Sequence, residues 1–252
     1  MSRRIVVDKN TKSASKSRRG NQFDYSEIYR QLRTNIEFSS IENKVQVVNV
    51  TSTTPNEGKS SVSSNLAVIC SDKYEKVLLI DCDLRKPVQH KFFNTTNKVG
   101  LSNLLLSYKD KIDIEDETYF KRYKKDTSAG KLYLLTSGSK VPNPQELLSS
   151  KRFKRLIEEL KKEFGFIIID CPPISAVSDA IPVASVSDGT LFVCSAKDTN
   201  KKEAKDALVQ LKRNGVNVLG CVLTKVEDPS NKKYGYYYGG GRIFRIVNDG
   251  NK

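Results

Sequence analysis

Four apolar runs constrain this chain more than any other feature. They are VQVVNVT (45–51), KVLLIDCD (76–83), FGFIIID (164–170) and TLFVCS (190–195). In each, apolar residues occupy both odd and even positions, so neither face of the strand is left for water. Strands covered on both faces belong to parallel sheets, and parallel neighbours need a crossover between them. The intervening segments supply it. Phe153, Leu156, Ile157, Leu160 and Phe164 recur with helical period over 150–164, and Ile28, Leu32 and Ile36 do so over 25–41, with Tyr29 beside them. Val62, Leu66 and Ile69 line a helix that starts at Ser60. The pattern also predicts strands at 132–138 and 217–226, and helices at 178–186 (despite Pro182) and 201–213. A turn into a short helix is predicted at 142–150, and an irregular charged excursion at 107–131. Alternating strands and helices predict one α/β domain with a mostly parallel sheet and helices on both faces. Such sheets bind ligands at the carboxyl ends of their strands.

Three of those ends carry candidate chemistry. STTPNEGKSS (52–61) joins the first strand to its helix, and Gly58-Lys59-Ser60 is the working end of a P-loop. Thr53, Thr54, Pro55, Asn56, Glu57, Gly58, Lys59, Ser60 and Ser61 are the candidate nucleotide-binding residues. Unpaired N–H groups at a helix start attract phosphate, Lys59 can reach the β- and γ-phosphates, and the Ser60 hydroxyl can ligate Mg²⁺. Thr53 stands where the usual motif has its first glycine. In LLIDCDLRKP (78–87), Asp81 and Asp83 leave a strand at i and i+2, on one side of an extended chain. Two carboxylates beside a phosphate suit Mg²⁺, or one of them can take a proton from an attacking hydroxyl. Arg85 and Lys86 can neutralise phosphate or pair with these aspartates. In FIIIDCPP (166–173), Asp170 has the look of an aspartate that holds Mg²⁺ through water.

Charge is concentrated outside this body. The 252 residues carry a net +14. Residues 1–20 hold +6 of it and residues 229–252 hold +4, which leaves the middle nearly balanced. We read 1–22 as a flexible basic arm, 23–228 as the folded domain and 229–252 as a flexible tail. The tail segment KKYGYYYGGGR contains Tyr234, Tyr236, Tyr237 and Tyr238 among glycines and lysines that forbid packing, so its rings are expected to be exposed and able to enter a neighbour's site. Five cysteines without a C-x-x-C pair read as free thiols of a cytoplasmic protein. One histidine excludes any mechanism that needs two. No apolar run approaches the ~18–20 residues needed to cross a bilayer, and no secretory leader is seen.

Taken together, TSTTPNEGKSS, LLIDCDLRKP, FIIIDCPP, VPNPQELLSS (141–150) and the tyrosine cluster resemble the bacterial tyrosine kinases of capsular and exopolysaccharide synthesis, in their separate Gram-positive form. The resemblance spans roughly residues 23–240. No H-R-D or D-F-G motif of the eukaryotic kinases is present. It implies an ATP- and Mg²⁺-dependent autokinase with Lys59, Asp81 and Asp83 catalytic and with Ser60, Asp81, Asp83 and Asp170 around the metal. It also implies phosphorylation of Tyr234, Tyr236, Tyr237 and Tyr238 in trans. The family's E-x-x-R-x-x-R oligomerisation motif falls on Glu27, Arg30 and Arg33, which implies a ring-like homo-oligomer; intrahelical ion pairs are the simpler reading of the same stripe. A membrane-bound polysaccharide co-polymerase activator, recruitment to the inner face of the membrane and a cognate phosphotyrosine phosphatase are further implied, and no nucleic acid. The rival reading is a switch ATPase of the partition or division-site type. Its signature lysine would fall at position 54, which is Thr54 here.

Overall fold

The computed structural model describes residues 25–39, 44–107, 112–123, 130–175 and 179–226. The expected basic arm (1–22), the tail (229–252) and the four tail tyrosines lie outside the described residues, as do the domain boundaries proposed beside them.

A seven-stranded sheet forms the middle layer. Its strands are β1 (Val47–Ser52), β2 (Lys76–Asp81), β3 (Phe120–Tyr123), β4 (Lys131–Leu135), β5 (Phe166–Asp170), β6 (Gly189–Ser195) and β7 (Val218–Thr224), in the order β3-β4-β2-β5-β1-β6-β7. All pairings are parallel except that of β3 with β4. The two parities of the apolar runs serve two cores. Val48, Val50, Val77, Leu79, Phe166 and Ile168 face α1 (Tyr25–Phe38) and α2 (Lys59–Cys70). Leu78, Ile80, Ile167 and Ile169 face the opposite layer. That layer contains α4 (Leu101–Ser107), α5 (Pro144–Leu148), α6 (Lys151–Glu163), α7 (Ala180–Ser185) and α8 (Lys201–Arg213). The one-turn helix α3 (Gln89–Phe92) follows β2.

Helix boundaries follow local chemistry. Ser150 Oγ accepts from Phe153 N at the start of α6, and Asn200 Oδ1 accepts from Lys202 N and Glu203 N at the start of α8. Pro144 opens α5. Pro182 sits in the first turn of α7, where its missing N–H removes no intrahelical bond. The structure corrects the reading of 107–131: its described part contains β3, an antiparallel edge strand that alternation over four residues is too short to signal. It also adds α3 and α4, which the apolar periodicity does not announce. β2 ends at Asp81, so Asp83 belongs to the following loop and not to the strand.

The core supplies the stability that holds the strand ends in place. Leu156, fully buried on α6, should cost about 2–5 kcal/mol as Leu156→Ala, and removal of the α6 cap in Ser150→Ala about 1 kcal/mol. Urea unfolding followed by far-UV circular dichroism checks both values and their order.

Candidate active site

Because β5 lies between β1 and β2, the carboxyl ends of these three strands are neighbours. Asp81 and Asp170, the last residues of β2 and β5, are direct cross-strand partners. On the other side of β5, the chain leaves β1 through the loop 53–58 and enters α2. Gly58 adopts φ +94°, the left-handed region that favours glycine, and a Cβ there would also press on the Thr224 side chain at 3.3 Å. Unlike α6 and α8, α2 has no side-chain cap. Its first-turn N–H groups, together with the left-handed Asn56 (φ 66°), make a cradle for an anion. Thr53 Oγ1 is buried beside this loop without a hydrogen-bond partner among the described residues. An orphaned buried hydroxyl is costly unless a ligand meets it, and this one fits a phosphate oxygen.

Glu57 has a different task from the rest of the predicted loop. It is fully buried; its Oε2 accepts from Thr54 N at 2.9 Å, its Oε1 accepts from the Thr199 hydroxyl, and its carbonyl accepts from Thr224 Oγ1. The carboxylate is consumed in shaping the loop and bracing it against the ends of β6 and β7. Pro55 is exposed, as is Asn56, and Ser61 is half-buried on α2.

Lys59 stands at the centre. Its Nζ lies 3.2 Å from Asp83 Oδ2 and 3.9 Å from Asp170 Oδ1, and donates to Ser60 Oγ at 3.2 Å. Burial alone would lower its pKa, but the charges of Asp170, Asp83 and Asp81 outweigh that and leave it raised. The two aspartates of LLIDCDLRKP turn out to do separate jobs. Asp81 is fully buried, with Oδ1 accepting from Asp83 N and Oδ2 from Val88 N and Gln89 N. Asp83 keeps Oδ2 toward Lys59 and uses Oδ1 to accept from Lys86 N. The shared side of an extended chain is lost because the strand ends at Asp81. Arg85 pairs with neither: it makes a two-point contact with the buried Asp179 at 2.7 and 3.2 Å. Asp170 accepts from Ser63 Oγ at 3.3 Å and from Gln89 Nε2 at 2.8 Å. Gln89, Thr199, Thr224 and Asp179 escape sequence inspection, since an uncharged or isolated side chain far away in sequence gives no spacing signal.

Burial, then the charge of Asp170, pushes the Asp81 carboxyl up to about 8, against the pull of its N–H donors from Gln89 and Val88. Burial likewise raises Asp170, opposed by Lys59, Gln89 and Ser60. Among the described residues no three His, Cys, Asp or Glu side chains form a group that could hold a metal alone. Mg²⁺ takes one or two protein oxygens and completes its shell with water and substrate phosphates. Ser60 and Asp170, both beside Lys59 Nζ, could hold it.

The stripe Glu27, Arg30, Arg33 is divided. Arg30 pairs with Glu27 at 3.1 Å on the surface of α1. Arg33 turns inward, donating from Nη1 to the Ile69 carbonyl at 2.9 Å and lying 3.7 Å from Glu37. The last turn of α2 thus gains a cationic partner beside the Ile69 carbonyl, which also accepts from Asp72 N.

Fold and site define a nucleotide-binding P-loop α/β domain, and the AAA domain family matches residues 45–214. Tyrosine-protein kinase YwqD of Bacillus subtilis is 41% identical over 215 residues, covering 84% of this chain and 86% of that protein. The kinase domain of Escherichia coli tyrosine kinase ETK superposes with TM-score 0.72 at 33% identity, covering 84% of this chain and 80% of the other. The chimerical protein CapA2B2 does so with TM-score 0.69 at 35% identity, covering 79% and 83%. The chain belongs to the bacterial tyrosine-protein kinases of capsular and exopolysaccharide synthesis. Among the described residues no helix is long and apolar enough to cross a membrane.

The raised Asp81 and Asp170 give a signed pH prediction. A carboxyl whose folded pKa lies above its unfolded value of 3.8 stabilises the fold fully below that value and loses the contribution as pH rises through the folded one. Nucleotide-free protein should therefore lose stability between pH about 4 and about 8 from this site, and Asp81→Asn should flatten that loss. Thermal unfolding of both proteins across this range reads the difference; parallel curves would contradict it.

Proposed function

We propose that this kinase transfers the γ-phosphoryl group of ATP to tyrosine hydroxyls, chiefly Tyr234, Tyr236, Tyr237 and Tyr238 in the tail of a neighbouring copy. The observation that carries the reading is a buried lysine held between Asp83 and Asp170 beside an uncapped helix start. That lysine can leave its carboxylates for a phosphate, and the cradle of N–H groups is ready to hold the rest of the anion. Bound Mg²⁺ would offset charge on the transferred phosphoryl group, held by Ser60 directly and by Asp170 through water.

The residues then divide the work. Asp81 has both oxygens committed to backbone N–H groups, which makes it an anchor. Asp83 Oδ2 loses its partner when Lys59 turns to phosphate, and is left facing the site as the proton acceptor. A tyrosine hydroxyl with pKa about 10 needs such help at neutral pH. Its proton passes to Asp83, the Oη–Pγ bond forms, the bond from Pγ to the β,γ-bridging oxygen breaks, and ADP departs. Likeness to the CapA2B2 chimera supports a second protein segment working with this core. We assign that role to a membrane-bound polysaccharide co-polymerase, which would bring the kinase to the inner face of the membrane. We also propose a homo-oligomer, ring-like by family resemblance, in which one tail reaches the next site; its support is the family's motif on Glu27, Arg30 and Arg33.

Purified protein incubated with MgATP and the activator segment should form phosphotyrosine, and Lys59→Met should not. A variant with Phe at 234, 236, 237 and 238 should lose self-labelling yet still label the tail of the Lys59→Met protein when the two are mixed. Undiminished labelling of the Phe variant would refute the tail assignment, and an unlabelled Lys59→Met tail would refute transfer in trans. Separately, Asp83→Asn should lower kcat by about 10²–10⁴-fold with ADP affinity little changed. An equal loss in Asp81→Asn without any loss of stability would reverse the two roles.

A further inference from the structure

Gln89 opens the one-turn helix α3 and is fully buried, and its backbone N–H and its side-chain amide are spent on different parts of the site. Its backbone N–H donates to Asp81 Oδ2 at 3.0 Å. Its Nε2 donates to the Ser60 carbonyl at 3.1 Å and to Asp170 Oδ2 at 2.8 Å. Its Oε1 accepts from Ser64 Oγ at 2.7 Å. Both amide hydrogens meet acceptors and the amide oxygen meets a donor. A flipped amide would set its oxygen against two acceptors, so the partners fix one orientation. One side chain thereby joins the start of α2, the end of β5 and, through its own backbone, the end of β2.

We infer that Gln89 is a positioning residue that aims Asp170 for the metal. It holds Oδ2 against α2 and leaves Oδ1 on the side of Ser63 and Lys59, where a phosphate-borne Mg²⁺ would sit. A neutral amide is the side chain suited to this. Lysine or arginine in its place would cancel the charge the metal needs, and an apolar residue would take the amide donor away from the buried Asp170 Oδ2. Asp81 completes the device from below. By accepting the N–H groups of Val88 and Gln89 it fixes the entry into α3, and so the root of the Gln89 side chain. The inference rests on the magnesium reading above and extends it to a residue outside the motifs.

Gln89→Met keeps the length of the side chain and removes its hydrogen bonds. Binding of a fluorescent ADP analogue, titrated with and without Mg²⁺, separates positioning of the metal from nucleotide binding as such. In the variant, affinity without Mg²⁺ should stay within about twofold of the parent. The gain in affinity on adding Mg²⁺ should shrink by about 10-fold or more, the usual effect of losing a partner that orients a metal-linked carboxylate. Ser64→Ala removes the donor to Oε1, together with the Ser64 hydroxyl's contact to the Ser60 carbonyl, and leaves both Nε2 bonds of Gln89 in place; it should move the same gain in the same direction by a smaller factor, and it carries the test if the Met variant does not fold. A folded Gln89→Met protein that keeps the full Mg²⁺ gain overturns the inference; so does an unchanged Ser64→Ala protein where that variant stands alone. If the unsubstituted kinase shows no Mg²⁺ gain at all, the magnesium reading falls and the inference falls with it.

Discussion

Three carboxylates and one ammonium are buried together at the ends of adjacent parallel strands, and the rest of the site depends on holding them there. The β2–β5 register makes Asp81 and Asp170 direct neighbours, with Lys59 and Asp83 alongside. Burying like charges at such range is unfavourable unless each is hydrogen-bonded and a cation answers them. Lys59 answers Asp83 and Asp170, while backbone N–H groups answer Asp81. With three carboxylates against one ammonium the cluster is left short of positive charge, which is the setting the proposed Mg²⁺ would answer.

The surroundings do this holding with polar contacts of long sequence separation. Glu57 and the hydroxyls of Thr199 and Thr224 brace the phosphate loop from the β6 and β7 side. Gln89 braces Asp170 from the β2 side, and Arg85 ties the same exit loop to the buried Asp179 before α7. Each of these contacts joins segments that the sheet order brings together but that are distant in the chain. Loss of one would therefore be felt as loosened geometry in groups that touch the substrate.

Much of this was legible before any coordinates. Lys59, Ser60, Asp81, Asp83 and Asp170 stand out because a Gly-Lys-Ser turn and aspartates at or just past strand ends are local patterns, and apolar residues on both parities announce a parallel sheet. The common side of an extended chain expected for Asp81 and Asp83 is not found, since the end of β2 at Asp81 turns the two carboxylates to different partners. The stripe on α1 was legible as a spacing and not as an orientation: packing of α1 on α2 takes Arg33 inward and leaves Arg30 with Glu27 outside. Edge strand β3 was missed because four residues carry too little periodicity.

The amino-acid sequence by itself determined the layering, the P-loop and which carboxylates stand at strand ends, because periodicity and turn chemistry act within a few residues. Tertiary structure alone decided that β5 lies between β1 and β2, bringing Asp170 beside both Lys59 and Asp81. It also decided that an uncharged glutamine, unmarked by any motif, links all three segments. Strand order and the contacts of a neutral side chain are set by packing across the whole domain, and no local run of residues encodes them.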